Sequence, residues 1–266
     1  MTSLPLGTLY GVSAGPGDPD LITLKGLKLI QKTSVIAFPA GIGDRPGVAQ
    51  RIIAPWLQPH QVQLPLRFPY VKERTALVAA WTAAAAAVCQ HLQHQDVVFV
   101  SEGDVSFYST FAYLAQHVRQ RYPEVTITSV PGVCSPLAAA AELGLPLALG
   151  DQRLTVLPAL YTAPGENDVS NASSPSKPDG GVSNLETALD HSDVVVLMKV
   201  SSVYAQVWRV LQRRQLLEAS AVVEWATGEQ QVLYSGLGDR PQLALSYFSL
   251  MIIQVSASRY GKGSGD

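Results

Sequence analysis

The chain has 266 residues, of which 47% are apolar and 15% charged, so it can bury one large core or two smaller ones. Its net charge of −2 argues against nucleic-acid binding, which usually needs a basic surface. No run approaches the ~18 apolar residues of a membrane span, and the N-terminus lacks signal-peptide features, so we predict a cytoplasmic protein without a membrane partner. Cys89 and Cys134 stand too far apart for a metal knuckle and are expected to be free thiols, with no metal bound.

The first strand is predicted over residues 7–13, and a turn with two glycines leads from it into a helix. Asp18 suits the N-cap of this helix and Pro19 its first position. A dinucleotide fingerprint would need glycine three positions after Gly17, where the chain has Asp20, so NAD binding is disfavoured. The buried side of the helix is predicted from apolar residues at helical spacing: Leu21, Leu24, Leu27 and Ile30.

Strands and helices continue to alternate along the first half. The pattern predicts strands over residues 34–38 and 61–64 and a helix over residues 72–94. A short buried strand over residues 97–100 then ends in the polar turn 101–104. The chain therefore repeats a strand and helix unit, which favours a mostly parallel sheet with helices on both faces.

The turn after the strand 97–100 has the character of a ligand site. Gly103 allows a ligand to approach the backbone closely, and Asp104 supplies a carboxylate. The alternative is an ordinary strand-to-helix turn in which Asp104 caps the helix. A further strand over residues 125–130 is followed by another glycine turn and an alanine-rich helix over residues 136–143. Because ligands bind outside the carboxyl ends of parallel strands, these turns predict a site at one edge of the sheet.

The second half, predicted as a domain over residues 131–266, has a different pattern. Residues 163–181 are rich in Pro, Ser, Asn, Asp and Gly and are predicted to form a flexible insertion, and the tail 261–266 is expected to be disordered. One strong helix is predicted over residues 204–215. Several apolar strand-like runs surround it, so a mixed sheet is expected: 154–158, 193–200, 221–225, 231–235 and 245–255. The first domain is predicted over residues 1–130.

Five segments together resemble the tetrapyrrole (corrin/porphyrin) methylases. Three match the signature loops of that family, and the last two continue the resemblance almost to the end of the chain: 12–25, 102–108, 131–135, 194–199 and 224–227. The resemblance implies an α/β fold of two α/β domains with a cleft between them. It also implies S-adenosylmethionine as the methyl donor and a homodimer. The run 107–111 is similar to the precorrin-2 C20-methyltransferases of cobalamin biosynthesis, whose substrate is a tetrapyrrole.

The resemblance also implies roles for individual residues. Glu102, Asp104 and Tyr108 are candidate catalytic residues, since a proton must leave the acceptor carbon after methylation. Arg45 and Arg67 are predicted to bind the substrate carboxylates, with Arg51, Arg153 and Lys199 as further candidates. The residues expected to bind the cofactor are Pro16, Gly103, Asp104, Phe107, Cys134, Ser135, Met198 and Ala226.

Three positions depart from the family pattern, and two alternatives stay open. Val105 replaces the usual proline of the central loop, Cys134 stands where many relatives have Ser or Thr, and Ala226 stands where glycine is frequent. The alternatives are another member of the family, such as a uroporphyrinogen-III C-methyltransferase, or a non-catalytic nucleotide-binding module. The residues leave open whether a C20-methyltransferase would take precorrin-2 or its cobalt-containing counterpart.

Overall fold

The computed structural model describes residues 6–41, 43, 45–69, 73–159 and 180–256. The chain divides into two compact units, Met1–Ser135 (unit 1) and Pro136–Asp266 (unit 2). Unit 1 contains, in chain order, β1 (Leu9–Ser13), α1 (Leu24–Lys32), β2 (Val35–Pro39), α2 (Val48–Ile53), β3 (Val62–Leu66), α3 (Arg74–Leu92), β4 (Val97–Ser101), α4 (Phe111–Arg121) and β5 (Ile127–Val130). The remaining elements are α5 (Ser135–Glu142), β6 (Leu154–Pro158), α6 (Gly180–His191), β7 (Val194–Met198), α7 (Tyr204–Arg213), β8 (Ser220–Glu224), β9 (Val232–Tyr234) and β10 (Ser249–Gln254).

Unit 1 is built on a parallel five-stranded sheet with the strand order β3-β2-β4-β1-β5. Strand β4 lies at its centre, and its five residues are all buried, as a continuous apolar run in a parallel sheet predicts. Phe99 packs with α3 and α4 on one face, while Phe38, Ile30 and Ile53 form the core on the other face. The predicted α/β class with a mostly parallel first sheet is confirmed.

The start of α1 differs from the prediction. Asp18 caps a separate 3-10 turn, Pro19–Leu21, and Thr23 then caps α1 by accepting a hydrogen bond from the Gly26 N–H at 3.2 Å. The helix begins three residues after the 3-10 turn, so its buried face is displaced and Leu24 is 74% exposed. The prediction that Leu24 is buried is therefore wrong, whereas Ile30 is fully buried.

Helix α3 is the longest helix that the structure describes in unit 1. By length and composition it would suit a membrane span, with a mean hydropathy of 1.3, but a single such helix is weak evidence because core helices satisfy the same criterion. Its last two turns bury Val88, Cys89 and Leu92 in the core. Trp81, near its middle, stacks on Tyr113 of α4 with the ring centroids 4.3 Å apart. These contacts give α3 a place in the core of unit 1.

Unit 2 contains a mixed sheet, as predicted, and the structure gives its strand order as β6-β7-β10-β8-β9. Strands β6 and β7 are parallel, while β10 is antiparallel to both β7 and β8. Helix α6 is an element that the sequence analysis missed, and it buries Leu185 and Leu189 in the core. Gly180 and Gly181, the last residues of the predicted insertion, belong to this helix. The rest of the insertion and the tail 261–266 lie outside the described residues.

Candidate functional site

The three glycine turns of unit 1 lie side by side in the structure. Strand β1 pairs with β4 on one side and with β5 on the other, and Val12 is level with both Val100 and Val130. All three strands are parallel, so their carboxyl ends meet at one edge of the sheet. The structure thus brings together the turn that contains Pro16, the turn that contains Gly103, and the turn that leads to Cys134 and Ser135.

A small backbone bridge joins the first two of these turns. The Gly103 N–H donates to the Gly15 carbonyl at 2.7 Å, and the Gly15 N–H donates to the Gly103 carbonyl at 3.2 Å. Both polar backbone groups of Gly103 are therefore used within the protein. Gly103 would meet a ligand through its Cα, and any backbone hydrogen bonds to that ligand would come from its neighbours in the loop.

Gly103 also has a conformation and surroundings that suit a close approach. Its φ of +66° lies in the left-handed region, which side chains rarely adopt. A Cβ built at this position would meet no atom of the described residues within 4 Å. The absence of a side chain at Gly103 therefore leaves open space above the turn, and this is the fit that a ligand lying against the backbone requires.

The carboxylate of Asp104 links all three turns. Its Oδ2 accepts a hydrogen bond from the Gly132 N–H at 2.7 Å and a longer one from the Ser13 hydroxyl at 3.3 Å, which shares its single proton with the Val130 carbonyl at 2.8 Å. Its Oδ1 accepts from the Ser106 N–H at 2.8 Å and the Ser106 hydroxyl at 2.5 Å. The Ser13 oxygen also accepts from the Val105 N–H at 3.0 Å. Asp104 is only 8% exposed, so this network lies beneath the surface of the site.

The hydrogen bonds to Asp104 stabilise its ionised form. Burial by itself would raise the pKa of Asp104, but the hydrogen bonds from Ser106, Gly132 and Ser13 outweigh burial and hold the pKa below its ordinary value. A carboxylate with a lowered pKa is a weak base. The arrangement therefore favours a role in holding the turns together over one in accepting a proton.

Close packing at Gly132 completes the contact between the first and third turns. A Cβ at Gly132 would lie 2.5 Å from the Ser13 Cβ, so only glycine fits here. Ser135 is the first residue of α5, and both Cys134 and Ser135 are partly exposed. The Cys134 thiol is free. Ser13 and Ser106 belong to the site but were not predicted from the sequence. The position of Ser13 could have indicated it, because a small hydroxyl residue stands there at the end of a buried strand.

The residues that follow Asp104 present aromatic rings. Phe107 is partly buried, and its N–H donates to the Asp104 carbonyl at 3.1 Å. The Tyr108 ring packs edge-on against Phe107, with the centroids 4.8 Å apart, and Tyr108 is 50% exposed. Tyr108 has a φ of 52°, a strained value for a residue with a side chain. Glu102 and Pro16 are both partly exposed at the same strand ends.

The predicted substrate residues occupy the outer part of this edge. Arg67 follows the edge strand β3 directly, and Arg45 lies in the loop after β2. Both side chains are exposed, and among the described residues neither forms an ion pair. In that part of the chain, no group of three His, Cys, Asp or Glu side chains could hold a metal ion.

In unit 2, the predicted cofactor residues also lie at strand ends. Met198 is the last residue of β7, and Ala226, which is 6% exposed, follows β8 closely. Strands β7 and β8 are both antiparallel to β10, so their carboxyl ends share one edge of the mixed sheet. Arg153 precedes β6, which is parallel to β7, so it lies at the opposite edge of this sheet.

Strained backbone marks the same edge of unit 2. Lys199, Trp225 and Thr227 have φ values of 59°, 49° and 64°, all in the left-handed region. Such residues cost free energy and concentrate at functional sites. These conformations have no signal in the residue types, because none of the three is glycine or asparagine.

The comparisons with curated proteins identify relatives of similar length and of double length. The chain is 28% identical to a precorrin-2 C(20)-methyltransferase of Sinorhizobium sp, with 95% of this chain and 97% of the relative covered. It is 31% identical to a cobalt-precorrin-2 C(20)-methyltransferase of Salmonella typhimurium, with 93% and 96% covered. It is 32% identical to the cobalamin biosynthesis protein CobIJ of Mycobacterium tuberculosis, of which it spans about half, 46%.

Solved structures share the fold at lower identity. A cobalt precorrin-4 methyltransferase has a TM-score of 0.65 at 23% identity, with 92% of this chain and 94% of the other covered. The uroporphyrin-III C-methyl transferase from Thermus thermophilus, complexed with S-adenyl homocysteine, has a TM-score of 0.62 at 20% identity, with 95% and 100% covered. The family model of the tetrapyrrole (corrin/porphyrin) methylases matches residues 8–240, and the chain belongs to this family.

Proposed function

We propose that the chain is an S-adenosylmethionine-dependent methyltransferase that methylates C20 of precorrin-2, or of its cobalt-containing counterpart, in cobalamin biosynthesis. The observation that carries this proposal is the similarity to two C(20)-methyltransferases over more than nine-tenths of both chains. The longer CobIJ relatives match over about half of their length and are named for the same biosynthesis. Membership of the tetrapyrrole methylase family supports methyl transfer as the reaction, whereas the solved structures support the fold.

The strand ends of unit 1 fit the proposed cofactor. A ligand that lies against Gly103 would fill the open space at its Cα, and the bridge to Gly15 would hold that surface still. Pro16, Phe107, Cys134 and Ser135 stand on the same turns and would surround the ligand. Asp104 would act from below by fixing the turns. In unit 2, Met198 and Ala226 are proposed to complete the set.

When bound, S-adenosylmethionine supplies a methyl group on a sulfonium, which transfers to a nucleophilic carbon by in-line displacement. The protein contributes mainly orientation and a site from which water is excluded. The hydrogen-bonded turns of unit 1 serve this purpose, because they hold the loop atoms in one arrangement before ligands arrive. Phe107 supplies an apolar side chain at the same place, and Tyr108 supplies a ring that packs on it.

A proton must leave C20 after methylation, and the three catalytic candidates differ as acceptors. Both oxygens of Asp104 already accept hydrogen bonds, and its lowered pKa makes it a poor base. Glu102 and Tyr108 are partly or well exposed at the same edge. We infer that Asp104 is a positioning residue and that Glu102 or Tyr108 is the better placed group to receive the proton, directly or through water.

The substrate carries several carboxylates, which would need cations at the site. Arg45 and Arg67 are proposed to hold them, because both are exposed in loops that follow strands of the parallel sheet. Their guanidinium groups can bind a carboxylate with two parallel hydrogen bonds. A homodimer and a cytoplasmic location complete the proposal, on the basis of the family resemblance.

The test of the proposed function is a methyl-transfer assay with labelled S-adenosylmethionine. Precorrin-2 and cobalt-precorrin-2 should be offered side by side, with uroporphyrinogen III as the competing acceptor. We expect label in one of the first two substrates and none in uroporphyrinogen III. Label only in uroporphyrinogen III would assign the chain to another activity of the family, and cofactor binding with no transfer to any acceptor would favour a binding module.

A further inference from the structure

We propose that the strand edge of unit 2 carries a substrate-binding surface, formed by Lys199, Trp225, Tyr247 and Phe248, that takes a carboxylate and the flat face of the tetrapyrrole. This surface, the cation-aromatic edge, rests on the proposed function and deepens it. It lies apart in sequence from Arg45 and Arg67, which were predicted from their loops after strands of the first half. Of its four residues, only Lys199 was predicted from the sequence as a candidate for substrate binding.

Three chain segments meet at this edge. Lys199 follows β7, Trp225 follows β8, and residues 247–248 come directly before β10, which lies between those two strands. The Lys199 N–H donates to the Ser249 carbonyl at 2.9 Å, and the Trp225 N–H donates to the Phe248 carbonyl at 2.9 Å. The backbone therefore fixes the three segments against one another at the edge where α/β sheets bind ligands.

Lys199 is held in a conformation that a lysine would not adopt without help from its surroundings. Its φ is 59°, and glycine would occupy the left-handed region without strain. Its Nζ lies 5.3 Å from the centre of the Tyr247 ring, within the range of a cation-π contact. Among the described residues Lys199 forms no ion pair, so its charge can meet an anionic ligand.

The aromatic rings beside Lys199 provide a broad apolar surface. Trp225 and Phe248 lie 4.5 Å apart between ring centroids, and Tyr247 packs edge-on against Phe248 at 5.3 Å. Tyr247 is 37% exposed, and the other two rings are partly exposed. Aromatic faces stack well on flat conjugated rings. A cation at the margin of such a surface matches a tetrapyrrole, whose acidic side chains surround a broad apolar ring system.

A buried polar cluster supports the aromatic segment. Glu224, which is 7% exposed, accepts hydrogen bonds from the Ser246 N–H at 2.5 Å and the Tyr234 hydroxyl at 2.9 Å. It thereby fixes the residue that precedes Tyr247. The hydroxyl oxygens of Ser246 and Ser249 are buried and have no hydrogen-bond partner among the described residues. Buried hydroxyls without partners are uncommon, and here they lie next to the ring segment at the same edge.

The neighbouring Met198 and Ala226 are proposed to bind the cofactor, but the chemistry at Lys199 itself favours the substrate. The amino-acid end of S-adenosylmethionine carries an ammonium beside its carboxylate, so a site for it needs a hydrogen-bond acceptor as well as a cation. The nearby carboxylate of Glu224 is buried and already accepts hydrogen bonds through both oxygens. A tetrapyrrole side chain brings a carboxylate without an ammonium, which is what Lys199 can pair with.

Two substitutions of Lys199 test the proposal. Lys199→Asn removes the charge and retains a residue that tolerates a left-handed backbone, whereas Lys199→Arg keeps the charge. We expect Lys199→Asn to raise the KM for the tetrapyrrole about 10-fold or more, the size of a lost charge-assisted contact, and Lys199→Arg to stay near the wild type. The exposed Arg209 on α7 gives a matched control in the same unit, and Arg209→Gln should change neither constant.

Two substitutions of Tyr247 and a measurement of cofactor binding extend the test to the aromatic part of the edge. Tyr247→Ala should raise the KM as Lys199→Asn does, while Tyr247→Phe keeps the ring and should not. Calorimetry should show that Lys199→Asn and Tyr247→Ala bind S-adenosylhomocysteine with the same Kd as the wild type. An unchanged KM in both Lys199→Asn and Tyr247→Ala would overturn the proposal, and so would a Kd for S-adenosylhomocysteine that rises as much as the KM.

Direct binding of uroporphyrin III, a stable carboxylate-rich tetrapyrrole, separates this proposal from the proposed function. If the wild-type chain methylates neither form of precorrin-2, the proposed function fails. Weaker uroporphyrin binding in Lys199→Asn and Tyr247→Ala, with Arg209→Gln unchanged, would still support the cation-aromatic edge. Equal binding by all of these variants would overturn it.

Discussion

Asp104 is the residue on which the geometry of the proposed cofactor site depends most. Its two oxygens accept hydrogen bonds from residues on all three turns. In Asp104→Asn, one oxygen becomes an NH₂ group that faces the N–H of either Ser106 or Gly132 and cannot accept from it. We expect a loss of about 1–3 kcal/mol in the free energy of unfolding. Calorimetry should also show weaker binding of S-adenosylhomocysteine, with kcat at saturating cofactor largely retained.

If Asp104 were the catalytic base, we would expect a different result for the same variant. In that case Asp104→Asn would lower kcat strongly and leave the cofactor Kd unchanged. The acid side of the stability profile gives a second readout. Folding lowers the pKa of Asp104, so as the pH falls this carboxylate is protonated in the unfolded chain before it is protonated in the folded chain. The free energy of unfolding therefore decreases as the pH drops below about 4. Asp104→Asn should remove this part of the acid dependence in urea unfolding measured between pH 3 and pH 5.

Gly103 allows a direct test of where the cofactor lies. Gly103→Ala places a methyl group in the space that the proposed ligand would fill, so we expect the Kd for S-adenosylhomocysteine to rise about 10-fold or more. The left-handed backbone also makes alanine cost roughly 1 kcal/mol of stability. Gly144, after α5, has the same φ of +66° and the same open surroundings, so Gly144→Ala is a matched control. Equal cofactor affinity in both variants would place the cofactor elsewhere.

Arg45 and Arg67 are tested through the substrate rather than the cofactor. Arg45→Ala and Arg67→Ala should each raise the KM for the tetrapyrrole by about 10-fold or more, because each would lose a charge-assisted contact. Steady-state kinetics would measure this, with cofactor affinity unchanged. Arg119, exposed on α4, offers a control in the same unit. Wild-type constants in both variants would exclude these arginines and leave Arg51 and Lys199 as candidates.

At the scale of elements, residues 163–179 and helix α6 are expected to differ in how much they contribute to stability. The composition of residues 163–179 cannot bury enough apolar surface to offset the entropy of ordering them. We expect their replacement by a short Gly-Ser linker to change the Tm little. In contrast, Leu189→Ala on α6 should cost about 2–5 kcal/mol, because Leu189 is 1% exposed in the core. A linker variant that melts as early as Leu189→Ala would show that the segment packs.

The elements that were predicted well are those with a strong local signal. The apolar run of β4 predicts a strand without further information, and the alanine-rich stretches of α3 and α5 predict helices in the same way. The start of α1 was misplaced because Asp18 and Thr23 both suit an N-cap, and only the packing of the chain selects between them. Helix α6 was missed because it begins with two glycines that read as part of the insertion.

At the scale of the whole chain, the glycine turns were sufficient to place a site but did not assign the role of each residue. The parallel direction of the strands, which was predicted, puts the turns of Pro16, Gly103 and Cys134 at one edge of the sheet. The strand order that makes these turns neighbours was not predicted from the sequence. The role of Asp104 as a link between turns depends on Ser13 and Gly132, which are distant in sequence. The left-handed backbone at Lys199 and Trp225 is set by tertiary contacts and has no sequence signal.

The position of the transferred methyl group is the sharpest test of the proposed C20-methyltransferase activity. The chain should be incubated with precorrin-2 or cobalt-precorrin-2 and S-adenosylmethionine labelled with carbon-13 in its methyl group, and the product examined by NMR. We expect a single labelled methyl group on C20, formed by the wild type and lost or much reduced in Gly103→Ala at low cofactor concentration. A labelled methyl group on any other carbon, or a labelled product that is insensitive to Gly103→Ala, would contradict it.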